Sequence, residues 1–168
     1  MQRLLVLADT HVAGAASRPV PDEVWDVART VDLILHAGDV TSRWLLDELG
    51  RVAPVRAVLG NNDLELRTVL PEVVQLEVEG LPVAMVHDAG PTQGRAARLR
   101  RRFPDAAVVV YGHSHVPDDS AGIDVQRMFN PGSCTQRRRQ PHPTYGLLEI
   151  DRGRLVDHRV VTLRPPAN

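Results

Sequence analysis

Three short apolar segments divide the first sixty residues, and their spacing restricts the chain to few architectures. Each segment is too short for a helix and rich in branched aliphatic residues, which is typical of a fully buried strand. The predicted strands are Leu4–Ala8, Val31–Leu35 and Val55–Leu59. Amphipathic stretches over Asp22–Arg29 and Arg43–Leu49 lie between them and predict helices. Strands that alternate with helices in this way indicate an α/β fold that starts with a parallel sheet.

The second half of the chain predicts hairpins instead of strand–helix units. Val73–Val78 alternates apolar and polar residues and returns as Pro82–Val86 after a Glu-Gly turn. Tyr145–Ile150 and Leu155–Val161 have the same character and predict a closing hairpin. Between the hairpins we expect a helix over Gln93–Arg102 capped by Thr92, a strand that begins at Val108, and a strand over Val125–Phe129. The prediction is a mixed α/β domain.

Polar side chains of one chemical kind follow the predicted strands. The set, in chain order, is Asp9 and His11, Asp39, Asn61-Asn62-Asp63, His87, and His113 with His115. Side chains two residues apart in extended backbone point the same way, so we expect the Asp9–His11 and His113–His115 pairs each to face one side. The carboxyl ends of parallel strands meet at one edge of a sheet, where α/β proteins place their sites. Any single motif of this kind is common in loops. Polar side chains after so many predicted strands, however, predict one shared site.

The side chains of this set are metal ligands without sulfur. Within it, the seven candidate ligands offer two carboxylates, one amide and four imidazoles: Asp9, His11, Asp39, Asn61, His87, His113 and His115. These are too many for one ion and suit two divalent first-row transition metals. Mn²⁺ is the first choice on ligand hardness, with Ni²⁺, Fe²⁺ and Zn²⁺ as alternatives. Two such ions about 3.5–4 Å apart can clamp a phosphoryl group. A Rossmann nucleotide site is excluded because Asp9-Thr10-His11-Val12 stands where a glycine-rich loop is needed.

Composition restricts the partners and the compartment. A net charge of −1 and few aromatic residues argue against nucleic acid, and the arginines between Arg95 and Arg102 are interpreted as a solvated helix face. The single cysteine excludes an internal disulfide. There is neither a signal-peptide pattern nor an apolar run of about 18 residues, so we expect a soluble cytoplasmic protein without membrane contact. We predict one domain over residues 1–168 with a frayed tail at 164–168, and the oligomeric state stays open, a homo-oligomer included.

Taken in order, the motifs resemble a known family. Asp-x-His, Gly-Asp, Gly-Asn-x-Asp, a lone His and Gly-His-x-His follow one another as in the calcineurin-like metallophosphoesterases. The likeness is strongest to their small bacterial and archaeal branch, the YfcE-type phosphodiesterases, which Asn130-Pro131-Gly132-Ser133 and the segment 147–151 also resemble. The resemblance implies a metallo-dependent phosphatase-like fold, a four-layer αββα sandwich of two mixed β-sheets flanked by helices.

The resemblance also implies a role for each residue of the set. Asp9, His11 and His115 would bind one metal, and Asn61, His87 and His113 the other. Asp39 would bridge the two ions, and Asp63 would orient a ligand imidazole by accepting its distal N–H. The residues expected to take part in catalysis are Asp39, Asn61, Asn62, Asp63 and His113. In this family a bridging hydroxide or water is the nucleophile.

Three residues depart from the family pattern and affect the predicted activity. Val12 and Asp88 stand where glycine is usual, so Val12 is expected to crowd the mouth of the site and Asp88 to repel or bind substrate. Asn62 stands where better-known phosphatases carry a histidine that protonates the leaving group, and an amide cannot be a general acid. The prediction is therefore a two-metal phosphodiesterase acting on a small phosphorylated substrate. The alternatives are a phosphomonoesterase or nucleotide phosphatase, and a non-catalytic scaffold like the retromer subunit of this fold.

Overall fold

The computed structural model describes residues 1–17 and 19–163, and within these residues ten strands form two five-stranded sheets. The elements in chain order are β1 (Gln2–Leu7), α1 (Asp22–Ala28), β2 (Leu33–His36), α2 (Arg43–Gly50), β3 (Val55–Ala57), a 3₁₀ turn (Leu64–Leu66), β4 (Val73–Val78), β5 (Leu81–Val86), α3 (Arg95–Arg102), β6 (Val108–Val110), β7 (Asp118–Ala121), β8 (Arg127–Asn130), β9 (Thr144–Asp151) and β10 (Arg154–Thr162). The predicted tail at 164–168 lies outside the described residues.

Both sheets are mixed. The first has the order β10-β9-β1-β2-β3, with β1, β2 and β3 parallel and the closing hairpin antiparallel. The second has the order β4-β5-β6-β8-β7, with β5, β6 and β8 parallel and antiparallel strands at both edges. The parallel strands of each sheet deliver the loops that carry the predicted site.

Alternation along the strands builds four layers. In β1, Leu5 and Leu7 pack with the inner faces of α1 and α2, whereas Leu4 and Val6 pack between the two sheets. The second sheet mirrors this arrangement, because Val108 and Val110 face the first sheet. Residues of α3 cover the outer face of the second sheet. Because side chains alternate between the two faces of a strand, every central strand contacts both neighbouring layers. The predicted αββα sandwich is confirmed.

Strand β7 has no counterpart among the strands predicted from the sequence. Its residues are Asp-Asp-Ser-Ala, which neither alternate nor favour a strand, and it pairs at the edge of the second sheet with β8 alone. The neighbouring prediction was two residues out, since β8 begins at Arg127 and Val125 is 86% exposed. Pairing with a neighbour, not local composition, decides both cases.

Helix α3 differs from its prediction in two respects. It begins at Arg95 after Gly94, whose φ is +70°, and Thr92 makes no cap: its hydroxyl accepts a bond from the Arg95 guanidinium at 3.3 Å. The interpretation of the arginines as a solvated face is wrong for two of them. Arg95 and Arg98 are half-buried and donate to backbone carbonyls of the loop after β5.

Among the described helices, none combines the length and the apolar character that a membrane crossing requires.

Candidate metal centre

Two loops run side by side at the carboxyl edge of the first sheet. Beyond the ends of β1 and β2, the N–H of Asp9 donates to the carbonyl of Gly38 at 2.9 Å and that of His11 to the carbonyl of Asp39 at 3.0 Å. Val12 continues this ladder by donating to Val40 at 3.1 Å. The pairing of the strands therefore extends into the loops and holds Asp9 beside Asp39.

The backbone at the site is left-handed, which corrects the prediction of extended backbone. Five of the seven predicted metal ligands have φ between +48° and +70°: Asp9, His11, Asp39, His113 and His115. Non-glycine residues rarely adopt this conformation, and it persists only where surrounding contacts enforce it. His113 and His115 consequently face different partners instead of one side. His115 stacks on His11 with ring centroids 5.3 Å apart, and His113 meets His87 edge to face at 5.2 Å.

Asp63 fixes the loop that carries Asp39. Its buried carboxylate accepts the backbone N–H groups of Asp39 at 2.9 Å, Thr41 at 2.6 Å and Gly60 at 2.7 Å. The predicted bond from Asp63 to a ligand imidazole is wrong for the part of the chain that the structure describes, because these backbone donors occupy both oxygens. Asp63 ties the loop after β3 to the loop after β2.

Glycines make this close approach achievable. A Cβ on Gly60 would lie 2.1 Å from the backbone nitrogen of Asp39, and one on Gly38, whose φ is +89°, would lie 2.7 Å from Nδ1 of His87. No side chain fits at such distances, so both positions need glycine for space.

The first group of candidate ligands is Asp9, His11 and His115. Each offers a ligand atom within 4.8 Å of the others, and Nε2 of His115 lies 3.5 Å from Oδ1 of Asp9. Among the described residues, both oxygens of Asp9 and the Nε2 atoms of the two histidines are buried without a hydrogen-bond partner. Buried polar atoms are normally paired. Unpaired atoms on three residues that approach one another this closely fit a cation, and they are the donor types that divalent transition metals take.

The second group surrounds Asp39. Oδ2 of Asp39 lies 3.5 Å from Nε2 of His87 and 3.4 Å from Nε2 of His11. Asp9, Asp39 and His87 again place ligand atoms within 4.8 Å of one another. The side-chain oxygen of Asn61 lies 3.0 Å from Nε2 of His87 and 2.9 Å from Nδ1 of His113. One carboxylate oxygen of Asp39 thus lies between the two groups.

The carboxylates of the site are in opposite electrostatic states. Burial raises the pKa of Asp9 to about 7, because the charged form has lost its contact with water. Burial would also raise the pKa of Asp39, but hydrogen bonds from His87 and Asn62 outweigh it and hold that pKa well below the usual range. The charged form of Asp9 is therefore disfavoured without a cation, and a bound cation would stabilise it.

The imidazoles are oriented by the backbone. Nδ1 of His87 bonds to the carbonyl of Ala37 at 2.7 Å and Nδ1 of His115 to the carbonyl of Gln136, which turns each Nε2 toward the centre. Burial lowers the pKa of His115 to about 4, so its imidazole is neutral at pH 7, as a metal ligand must be. Beneath the site, the ring of His36 is buried and bonds to the Thr10 hydroxyl at 3.0 Å.

A supporting segment at the end of β8 was not assigned a role from sequence. The Ser133 hydroxyl donates to the Asp9 carbonyl at 2.8 Å, and the Asn130 amide donates to the Gly112 carbonyl at 3.1 Å. Thr135 adds a bond to the carbonyl of Thr10 at 2.6 Å. The Asn-Pro-Gly-Ser motif at a strand end was the available signal, and its function is to hold the loops that carry the candidate ligands.

The three departures from the family pattern occupy different places. Val12 does not crowd the site, because it is buried in the core between the first sheet and its helices. Asp88 is exposed beside His87, and Oδ1 accepts the N–H of Gly90 at 2.7 Å. Asn62 bonds to both oxygens of Asp39, through its backbone at 2.8 Å and its side chain at 2.7 Å.

Four layers with clustered carboxylates and imidazoles at one sheet edge define the class of metallo-dependent phosphatase-like proteins. Residues 2–153 match the calcineurin-like phosphoesterase superfamily domain. The chain belongs to this superfamily, which confirms the resemblance found in its motifs.

Relatives and solved structures agree with this membership. The chain is 36% identical over 163 residues to a probable metallophosphoesterase of Methanothermobacter thermautotrophicus, covering 96% of this chain and 92% of the relative. A Vps29 mutant from Entamoeba histolytica shares the fold with a TM-score of 0.76 at 22% identity, covering 96% and 99% of the two chains. A structure described as a novel archaeal phosphodiesterase has a TM-score of 0.73 at 20% identity, with 96% and 99% coverage.

Proposed function

We propose that the protein is a two-metal phosphoesterase that hydrolyses phosphodiester bonds. The observation that carries the proposal is the position of Asp39, whose Oδ2 lies 3.4 Å from His11 and 3.5 Å from His87. A carboxylate oxygen placed between two ligand groups is suited to bridge two ions. Asp9, His11 and His115 would hold one ion, and Asn61, His87 and His113 the other, with Mn²⁺ as the first choice.

The residues of the site would prepare a phosphate for hydrolysis. Two divalent ions held by these residues would supply polarisation of the phosphoryl group and a water of lowered pKa as the nucleophile. The charges of Asp9 and Asp39 offset only part of the two ions, which leaves the pocket at about 2+ and attracts an anion. Asp63 and Asn62 would keep Asp39 in place throughout, since their bonds reach its backbone and both of its oxygens.

The residue at position 62 favours diesters over monoesters. Hydrolysis forms a bond from the oxygen of water to phosphorus and breaks the bond to the leaving alcohol, which then needs a proton. Asn62 donates its side-chain N–H to Asp39 and has no acidic proton to give. We therefore expect the best substrates to be diesters whose alcohol departs without protein assistance.

A paired assay on metal-stripped protein tests the proposal. Bis(p-nitrophenyl) phosphate and p-nitrophenyl phosphate are followed as Mn²⁺ is added back, and bound metal is counted per chain. We expect about two ions per chain, turnover that favours the diester, and loss of both in Asp39→Ala. Asp26→Ala is the matched control, because it removes an exposed carboxylate on α1.

Other results would select an alternative. Turnover that favours the monoester would support a phosphomonoesterase or nucleotide phosphatase. Metal uptake with no turnover of either ester would support a metal-binding interaction scaffold, and the likeness to Vps29, which shows the fold alone, is compatible with that function. A single cytoplasmic domain, as a monomer or homo-oligomer, is part of the same proposal.

A further inference from the structure

Helix α3 carries a row of three arginines on one of its faces. Arg95, Arg98 and Arg102 are spaced three and four residues apart, so they lie on one face of the helix. Arg95 and Arg98 have structural roles. Arg95 donates to the Gly90 carbonyl at 3.0 Å and Arg98 to the Ala89 carbonyl at 3.1 Å, which holds the loop that follows His87.

Arg102 makes no comparable hydrogen bond in the described part of the chain. Within residues 1–17 and 19–163, its guanidinium takes part in no hydrogen bond and no ion pair. The residue is exposed to solvent. It lies over the ring of Phe103 at 5.2 Å from the centroid, and Phe103 is itself buried. A cation–π contact with a buried ring fixes the position of the guanidinium and leaves its N–H donors available.

The position of Arg102 connects it with the site. It lines a cavity of about 320 Å³ together with three of the candidate metal ligands, which are Asn61, His87 and His113. This cavity opens on the side of the proposed second ion. A planar guanidinium there presents a fork of donors that matches phosphate oxygens.

Two carboxylates in the same cavity leave the guanidinium available. Glu72 and Asp88 also line it, yet neither lies within 4 Å of the Arg102 nitrogens in the structure. Asp88 instead accepts the N–H of Gly90. The carboxylates would repel a phosphate placed against them, so an anion in this cavity is directed toward Arg102.

We infer that Arg102 binds a second phosphate of the substrate, adjacent to the scissile phosphodiester. This inference rests on the proposed function and narrows its substrate class to phosphodiesters that carry a further phosphate group on the alcohol or nucleoside portion. The two ions would bind the scissile phosphate, and Arg102 would determine substrate specificity by binding the second phosphate.

Binding and turnover together test the inference. Thymidine 5′-monophosphate and thymidine 3′,5′-bisphosphate are titrated by calorimetry into Mn²⁺-loaded protein without excess metal. We expect the wild type to prefer the bisphosphate and Arg102→Ala to weaken its binding about tenfold while monophosphate binding is unchanged. Arg101→Ala is the matched control, because it removes the same charge from the adjacent exposed residue of α3 and leaves the preference intact.

Turnover gives the second readout. With p-nitrophenyl esters of the same two nucleotides, Arg102→Ala raises KM for the ester that carries the 3′-phosphate and leaves its kcat unchanged. Equal effects on both nucleotides, or the same result from Arg101→Ala, would overturn the inference. If the wild type hydrolyses no ester, the proposed function fails, and the calorimetric preference still decides on Arg102.

Discussion

Asn62 holds both oxygens of the Asp39 carboxylate. Its backbone N–H donates to Oδ1 at 2.8 Å and its side-chain N–H to Oδ2 at 2.7 Å. These bonds contribute to the low pKa of Asp39, since they favour the charged carboxylate. The residue that stands where related phosphatases have an acid is thus a positioning residue for the proposed bridging ligand.

Asn62→Ala should therefore weaken metal binding. The backbone bond survives the change, but Oδ2 loses the donor that fixes its direction. Loss of a hydrogen-bond partner behind a ligand lowers metal affinity or activity about 10–100-fold. Competition of the variant with a chelator for Mn²⁺ measures the effect. Leu64→Ala, at an exposed residue of the next turn, serves as the control, and equal affinities for the two variants would show that Asn62 does not order Asp39.

Gly60→Ala should disrupt the same carboxylate sterically. The added Cβ would lie 2.1 Å from the backbone nitrogen of Asp39 and 2.2 Å from its Oδ1, so the loop must move. Overpacking of this kind lowers the free energy of unfolding by about 1–3 kcal/mol, and we expect metal binding to fall with it.

Gly50→Ala is the matched control for this change. A Cβ there meets nothing within 4 Å, and the residue ends helix α2, where alanine is favoured. Its free energy of unfolding should be unchanged or higher by up to about 1 kcal/mol. Urea denaturation of both variants checks the comparison, and equal stabilities would contradict the close approach of Gly60 to Asp39.

Much of the fold was predictable because local patterns decide it. Apolar runs such as Leu4–Ala8 reveal buried strands. Neighbouring residues of a strand point to opposite faces, so the apolar pair Leu4 and Leu5 indicates a sheet covered on both faces. The strand ends also predicted which side chains converge, since the structure brings Asp9, His11 and His115 together. Their metal-binding roles stay a prediction.

The parts that were missed depend on long-range contacts. Asp63 accepts the N–H of Asp39, 24 residues away, and no local signal reveals such a partner. The left-handed conformation of His113 and His115 is equally hidden, because neither residue type announces it as glycine would. Polar strand β7 forms only because β8 offers an edge.

Asp63→Asn should destabilise the protein even without metal. The carboxylate accepts three backbone N–H groups, and an amide can present only one accepting oxygen to them. Loss of bonds to a buried charged acceptor costs about 1.5–3 kcal/mol each, so we expect the free energy of unfolding to fall by about 3 kcal/mol. Asp26→Asn on the surface of α1 should change it by less than about 0.5 kcal/mol. Comparable losses in chelator-treated samples of both variants would show that Asp63 does not hold the loop.

Asp9→Asn should change the pH dependence of stability in metal-free protein. The pKa of Asp9 is raised from 3.8 to about 7 by burial, so between these values the folded chain keeps a proton that the unfolded chain releases. Stability from this group is therefore present below pH 4 and is lost as pH rises toward 7, by up to about 1.4 kcal/mol per pH unit. Asparagine does not titrate, so the variant should gain on the wild type across this window and keep a constant advantage above it.

Urea denaturation in chelator from pH 4 to pH 8 measures this difference. Groups such as His36, whose pKa burial lowers to about 3, titrate in both proteins and cancel in the comparison. Added Mn²⁺ should narrow or reverse the difference at pH 8, because it binds and stabilises the protein that retains the Asp9 carboxylate more strongly than the variant. A difference that is independent of pH would mean that Asp9 keeps its charge without a cation, and its unpaired oxygens would then not indicate a metal site.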